Sequence, residues 1–181
     1  MGLFSVGTCE VGTNDDIMMY MNEIKKYLQF GKYTKDCPDY ILKKIRKGFG
    51  GEISRNNLFV VLSFIREEFS SKKYKTYKTN DFRKSRFVSV KDIFEKRQES
   101  CGAWAAVVAS FLRSLGVPVK LINGFYEKEI PDMRHAWNEV YVDGNWLSID
   151  LTRKDFKVGD KHIKIDEWVD WSDLETIYKS E

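Results

Sequence analysis

Two alternating runs, His135 to Val142 and Asn145 to Asp150, are separated by Asp143-Gly144, and this pattern constrains the chain more than any other. An Asp-Gly pair between such runs predicts a two-residue hairpin turn of type I′, which needs positive φ at both central residues. That turn sets Val142 opposite Asn145. Counting back along the ladder, Tyr141 faces Trp146, Glu139 faces Ser148 and Trp137 faces Asp150, and opposed residues share a sheet face. His135, Trp137 and Asp150 therefore lie on one side. His135 and Asp150 are diagonal neighbours about 7–8 Å apart at the backbone, which leaves an imidazole and a carboxylate within hydrogen-bonding reach. A turn one residue longer or shorter would carry Asp150 to the other face.

Upstream, Ser100 to Pro118 has a capping serine, a nearly all-apolar body and a Gly-x-Pro stop, so it reads as a buried helix that begins at Cys101. Free N–H groups and the helix dipole favour negative charge there, which raises the thiolate fraction of a first-turn thiol. Cys9 and Cys37 have no such setting and read as inert, buried thiols. For Cys101 the helix start and the histidine and aspartate that follow it in the chain point to a nucleophile. A lone histidine on a half-buried strand is ordinarily a satisfied core residue. Pairing with Asp150 changes that reading, because a carboxylate on one ring nitrogen fixes the tautomer and turns the other nitrogen toward the thiol.

The Ala-rich helix opened by Cys101 and ending Leu115-Gly116-Val117-Pro118-Val119-Lys120, the strand into Asn123-Gly124, the block His135-Ala136-Trp137-Asn138-Glu139-Val140-Tyr141-Val142, and Trp146-Leu147-Ser148-Ile149-Asp150-Leu151-Thr152 together resemble the transglutaminase-like superfamily. That superfamily has a papain-like core. The resemblance is specific over residues 95 to 155 and vaguer over 54 to 94. It implies an α+β fold with the nucleophile helix packed on an antiparallel sheet, here from residues near 117 to 125, 135 to 142 and 145 to 151. It also implies Cys101 as nucleophile, His135 as general base and acid, and Asp150 as the orienting acid. The function implied is a cysteine hydrolase, a peptidase or amidase working through a thioester on a peptide or protein substrate. Acyl transfer by the same triad and a non-catalytic peptide-binding module are the alternatives.

Two departures from the family pattern bear on the oxyanion site. Many members carry a glycine just before the nucleophile, where this chain has Glu99-Ser100, and some place a tryptophan upstream, where the first here is Trp104. The Cys101 N–H suits an oxyanion donor because no intrahelical acceptor reaches it. Gln98, Tyr74 and Tyr77 are nearby in sequence, and none is assigned as the second donor.

A length of 181 residues with 43% hydrophobic and 31% charged side chains suits one soluble domain: a helical N-terminal extension over 1–53, a catalytic core over 54–155 and a C-terminal segment over 156–181. Asp15 or Asp16 is placed to cap a helix with Ile17, Met21, Ile24 and Leu28 at helical spacing, and Pro38-Asp39 opens a second helix closed by Gly48. Ser54 precedes a longer amphipathic helix through Leu58, Val61, Leu62, Ile65 and Phe69. Ser89 with Asp92 starts another that ends near Gln98. Between these lies a polar loop, 70–88, long enough to border a substrate cleft.

That loop interleaves basic and aromatic residues, as segments that bind single-stranded nucleic acid do, but no helix-turn-helix, zinc or RNP motif accompanies it, so a solvated loop is the preferred reading. No cofactor is implied. His135 and His162 are the only histidines and no cysteine pair stands at ligand spacing, so the sequence predicts no metal site. Gly48-Phe49-Gly50-Gly51 lacks the Lys-Ser/Thr of a phosphate loop. Three scattered cysteines, no basic start with a long apolar run, and Val6 where a myristoylation signal wants Ser or Thr predict a cytoplasmic protein without a membrane anchor. Oligomeric state is not legible.

Overall fold

The computed structural model describes residues 13–50, 52–70, 75–76, 87–96, 98–126, 134–153, 155–159 and 162–180. Helix α1 (Asn14–Lys25) opens on Thr13, whose hydroxyl accepts the Asp16 N–H while the Asp16 carboxylate accepts the Thr13 N–H at 2.9 Å. The cap is thus Thr13, with Asp16 as its reciprocal partner three residues on, rather than Asp15 or Asp16. Of the expected apolar stripe, Ile17 and Met21 are exposed and Ile24 is buried. A 3-10 turn, Lys26–Leu28, then buries Tyr27.

Helix α2 (Asp39–Phe49) buries Ile41, Leu42 and Ile45. It runs past Gly48 to a stop at Gly50, whose N–H reaches the Arg46 carbonyl at 3.0 Å. A helical glycine costs about 1 kcal/mol relative to alanine, a cost offset here by the packing of Phe49 on the core. Helix α3 (Arg55–Ser70) buries Leu58, Val61, Leu62, Ile65 and Phe69, the stripe its spacing predicts.

Helix α4 (Val90–Lys96) starts where Ser89 accepts the Asp92 N–H at 3.1 Å and ends at Lys96, short of Gln98. Gln98 and Glu99 leave the helix because they pair, as strand β2 (Gln98–Glu99), in parallel with β1 (Lys75–Thr76). Residues 71–74 and 77–86 of the basic segment lie outside the described residues, as does Cys9.

Helix α5 (Cys101–Ser114) is the centre of the fold, buried from Gly102 to Arg113. Ser100 caps it by accepting the Ala103 N–H at 3.1 Å. Its far end closes with Val117 N–H on the Leu112 carbonyl and Gly116 N–H on the Arg113 carbonyl, the pair of bonds of a Schellman motif. Against it packs an antiparallel sheet of β3 (Val119–Tyr126), β4 (Arg134–Val142), β5 (Asn145–Ile149) and β6 (His162–Trp168), in the order β5-β4-β3-β6. Helix α6 (Trp171–Ser180) is the last of the described elements. The architecture is α+β, with three strands at the expected places and a fourth from the C-terminal segment.

The hairpin has the expected register. Val142 pairs with Asn145, Tyr141 with Trp146 and Glu139 with Ser148. Asp143 and Gly144 have φ of 50° and 79°, as a type I′ turn requires. Val119, Leu121, Ala136, Val140, Val142 and Ile149 face the core on the α5 side. Asn138 is buried among them and donates to the carbonyls of Ala105 at 3.1 Å and Lys120 at 3.2 Å, so it pins helix to sheet. Trp137, Tyr141 and Trp146 share the opposite face.

That second face carries its own network. Lys120 and Lys164 bridge Glu139 and Glu167, and the Tyr27 hydroxyl donates to Glu167 at 2.7 Å. Burial pushes the Glu167 carboxyl up, but Tyr27, Lys164 and Lys120 outweigh it and bring the pKa down to about 2. Tyr27 also meets Trp146 edge-on, with ring centres 5.4 Å apart. The end of the N-terminal extension thereby docks on the sheet.

Arg113, 3% exposed, holds the extension from the other side of the helix. Its guanidinium donates to the carbonyls of Gln29, Val119 and Val169 and to the Thr34 hydroxyl. Asp170 accepts the Thr34 N–H at 3.1 Å and its hydroxyl at 2.8 Å. Residues 29–34 and 169–170 are thus clasped across the C-terminal end of α5.

Candidate active site

Cys101 occupies the first position of α5, where helix geometry leaves its N–H without an intrahelical acceptor. Trp171, fully buried at the start of α6, braces this end of the helix by donating its indole N–H to the Gly102 carbonyl at 3.2 Å. His135, near the start of β4, is 5% exposed, and its Nε2 lies 2.9 Å from Asp150 Oδ2. The Cys101 thiol hydrogen-bonds the same ring. With Nε2 engaged by the carboxylate, Nδ1 is the nitrogen left for sulfur.

Asp150 follows β5 directly and is 1% exposed. Its other oxygen, Oδ1, accepts the Thr152 N–H at 3.0 Å and the Thr152 hydroxyl at 2.6 Å, so one oxygen is fixed by its own loop and the other is presented to imidazole. The structure therefore brings Cys101, His135 and Asp150 into one hydrogen-bonded line, as the ladder count and the helix start predict.

Electrostatics follow from this line. Burial pulls the His135 pKa down, but the hydrogen bonds to Asp150 and Cys101 and their charges outweigh it, and the ring rises to about 9. For Asp150, burial pushes the carboxyl up, and the bonds to His135 and His162 reverse the sign and hold it well below the usual carboxylate range. An imidazolium flanked by a carboxylate and a sulfur favours the thiolate form of that sulfur.

His162 is the residue that sequence reasoning missed. Its side chain is 2% exposed, and Nε2 stands 3.4 Å from Asp150 Oδ2, on the oxygen His135 also uses. Its ring stacks on Trp137, with centres 4.6 Å apart and planes 23° from parallel. Trp137 has room for this only because β3 carries Gly124 beneath it. A Cβ there would overlap the Ile163 carbonyl oxygen and lie 2.6 Å from the Trp137 ring. The alternation of His162-Ile163-Lys164-Ile165-Asp166 is a strand signal. The register shift at Asn123/Gly124, which sets where His162 falls, is marked in the sequence only by the strand glycine Gly124, which signals a bulge or a close backbone approach without saying which strand arrives.

Tyr74, Tyr77 and the side chain of Gln98 lie outside the described residues. Of the oxyanion donors considered, only the Cys101 N–H is described.

The transglutaminase-like superfamily core model matches residues 61–151, half of the sequence and all three of these positions. The chain belongs to the transglutaminase-like superfamily. Among solved structures, a candidate cysteine protease from Cytophaga hutchinsonii is similar at a TM-score of 0.60 and 24% identity, covering 93% of this chain and 52% of that one. The periplasmic domain of TgpA from Pseudomonas aeruginosa is similar at a TM-score of 0.52 and 19% identity, covering 73% of this chain and 47% of that one. These likenesses concern the fold, and the chain spans about half the length of either. No curated protein matches. Among the described residues, no helix is long and apolar enough to cross a membrane.

Proposed function

We propose that this transglutaminase-like domain is a cysteine hydrolase that cleaves a peptide or amide bond through a thioester on Cys101, with His135 and Asp150 completing the triad. The observation that carries the reading is the buried line from the Asp150 carboxylate through the His135 ring to a thiol at a helix start.

In this reading Nδ1 of His135 takes the Cys101 proton, and the thiolate forms a C–S bond to the acyl carbon while the carbonyl electrons move to oxygen. The Cys101 N–H, at the positive end of α5, stabilises that oxyanion. His135 then protonates the leaving nitrogen as the C–N bond breaks, which leaves the thioester. Water, deprotonated by the same imidazole, attacks the acyl carbon. The C–S bond breaks and the thiolate returns, with Asp150 holding the ring throughout.

The test is labelling with a panel of thiol-directed acyl and peptidyl probes, read by peptide mass, followed by turnover of the preferred acyl group with and without an added primary amine. Labelling confined to Cys101, lost in Cys101→Ala, and release of free acid support a hydrolase. Release of the amide alone, whenever the amine is present, would make the chain an acyltransferase. Equal labelling of Cys101→Ala would overturn the assignment.

A further inference from the structure

His162 lies beyond residue 151, where the superfamily match ends, and the triad does not require it. We infer that His135 Nε2, Asp150 Oδ2 and His162 Nε2 form a site for one divalent metal ion of the zinc class. Its consequence, arrest of turnover, rests on the proposed function, whereas the site itself rests on geometry alone.

One ligand atom from each residue lies within 4.8 Å of the other two, and the two contacts to Asp150 Oδ2 are 2.9 and 3.4 Å. An ion about 2.0–2.2 Å from tetrahedral nitrogen and oxygen ligands sets them roughly 3.3–3.5 Å apart, so the His162 contact to Asp150 already fits, the His135 contact opens by about half an ångström, and the widest pair, within 4.8 Å, closes to match. Two imidazoles and a carboxylate suit zinc, cobalt or nickel, whereas magnesium and calcium take oxygen. The donors are oriented by outer contacts: Thr152 holds Oδ1, which leaves Oδ2 as the single carboxylate donor, and Trp137 stacks on His162. The side chains are 7%, 1% and 2% exposed, so a bound ion would exchange its water for buried ligands.

Metal and proton compete for the same atoms. Coordination displaces the Nε2 proton from each ring; a ring that began as imidazolium releases it to solvent, and a neutral ring carries its proton on Nδ1 instead. For His135 the remaining proton sits on Nδ1, as it already does in the imidazolium–thiolate pair, so Cys101 stays a thiolate. An occupied site instead stops turnover without touching the sulfur, because a metal-held ring can give that proton to the leaving nitrogen only by becoming an imidazolate. This differs from inhibition by a metal bound directly to the sulfur.

The two cases separate in a cobalt titration of full-length Cys101→Ala, which has no active-site thiol. The expected result is one equivalent of Co²⁺ with visible ligand-field bands and no thiolate charge-transfer band, weakened at least about tenfold by adding His162→Gln. Far-UV circular dichroism checks that the double variant folds; if it does not, Cys101→Ala with His135→Gln is read in its place, with the same expectation. Absence of stoichiometric binding to Cys101→Ala, or affinity untouched by loss of a histidine, overturns the site. In the wild type, Zn²⁺ should stop turnover while Cys101 still alkylates, a chelator should restore turnover, and His162→Gln should raise the zinc needed at least about tenfold. Cobalt binding with no effect of zinc on turnover would overturn the blockade and leave the site standing. The cobalt arm needs no turnover, so its failure is distinct from failure of the proposed hydrolase.

Discussion

Replacing Gly124 by alanine is the most direct perturbation of the packing behind the site. An alanine with room in a strand would stabilise by about 0.4–1 kcal/mol, through the entropy of the unfolded chain. Here the added Cβ overlaps the Ile163 carbonyl oxygen and falls 2.6 Å from the Trp137 ring. A backbone oxygen cannot rotate away as a side chain can, so relief requires β6 to part from β3 at its register shift, or Trp137 to leave His162. Overpacking of this kind costs about 1–3 kcal/mol, and loss of one ladder hydrogen bond adds about 1 kcal/mol. Set against the entropic gain, the net expectation is a loss of about 2 kcal/mol, or roughly 4–8 °C in Tm for a domain of this size. Urea unfolding followed by tryptophan fluorescence measures it. Gly144→Ala is the control, because its Cβ meets open space and only the left-handed turn, at φ of 79°, opposes it, at about 1 kcal/mol. Gly124→Ala costing no more than Gly144→Ala would refute the reasoning.

Arg113→Met should destabilise by about 3 kcal/mol in urea, because buried carbonyls lose their donor; a change under about 1 kcal/mol would show that the clasp on residues 29–34 does not hold the extension. Glu167, at about 2, is more acidic folded than unfolded, so its contribution is present above the ordinary carboxylate range and lost as pH falls from about 4.3 toward 2. Glu167→Gln should flatten the acid side of the stability curve in that window, read by thermal melts at stepped pH. Asp150→Asn should fold, lose at least about a hundredfold in turnover, and move the alkaline limb of the pH–rate profile from near 9 down toward the ordinary histidine value of about 6.5. An unchanged profile would make another group the orienter of His135.

The part of the fold that carries Cys101, His135 and Asp150 was legible because each of its pieces has a local cause. The Asp143-Gly144 turn sets a two-residue loop, pairing follows with a period of two, and Ser100 and Gly116 bracket a helix too apolar to be anywhere but the core. His162 was not legible for a corresponding reason: its place depends on a strand that joins the sheet from a distant part of the chain, and Gly124, at the register shift, marks a close approach without naming its partner. The N-terminal layer shows a third case. Ile17 and Met21 keep helical spacing yet stay exposed, since periodicity reports the helix and not whether a neighbour arrives to cover it. Gly48 illustrates the same limit, because packing of Phe49 outweighs a local stop signal.

The central claim, that Cys101 is a nucleophile activated by His135, is tested most directly by the rate of iodoacetamide alkylation of each cysteine in the native protein against pH, resolved by peptide mass. Burial pushes the Cys37 thiol up to about 12, so it should stay unreactive and serve as an internal reference. The account predicts that Cys101 alkylates well below the ordinary thiol range of about 8.5, at least about tenfold faster than Cys37, and that His135→Ala abolishes the low-pH reactivity. Cys101 reacting no faster than Cys37, or as fast at low pH in His135→Ala as in the wild type, would contradict it.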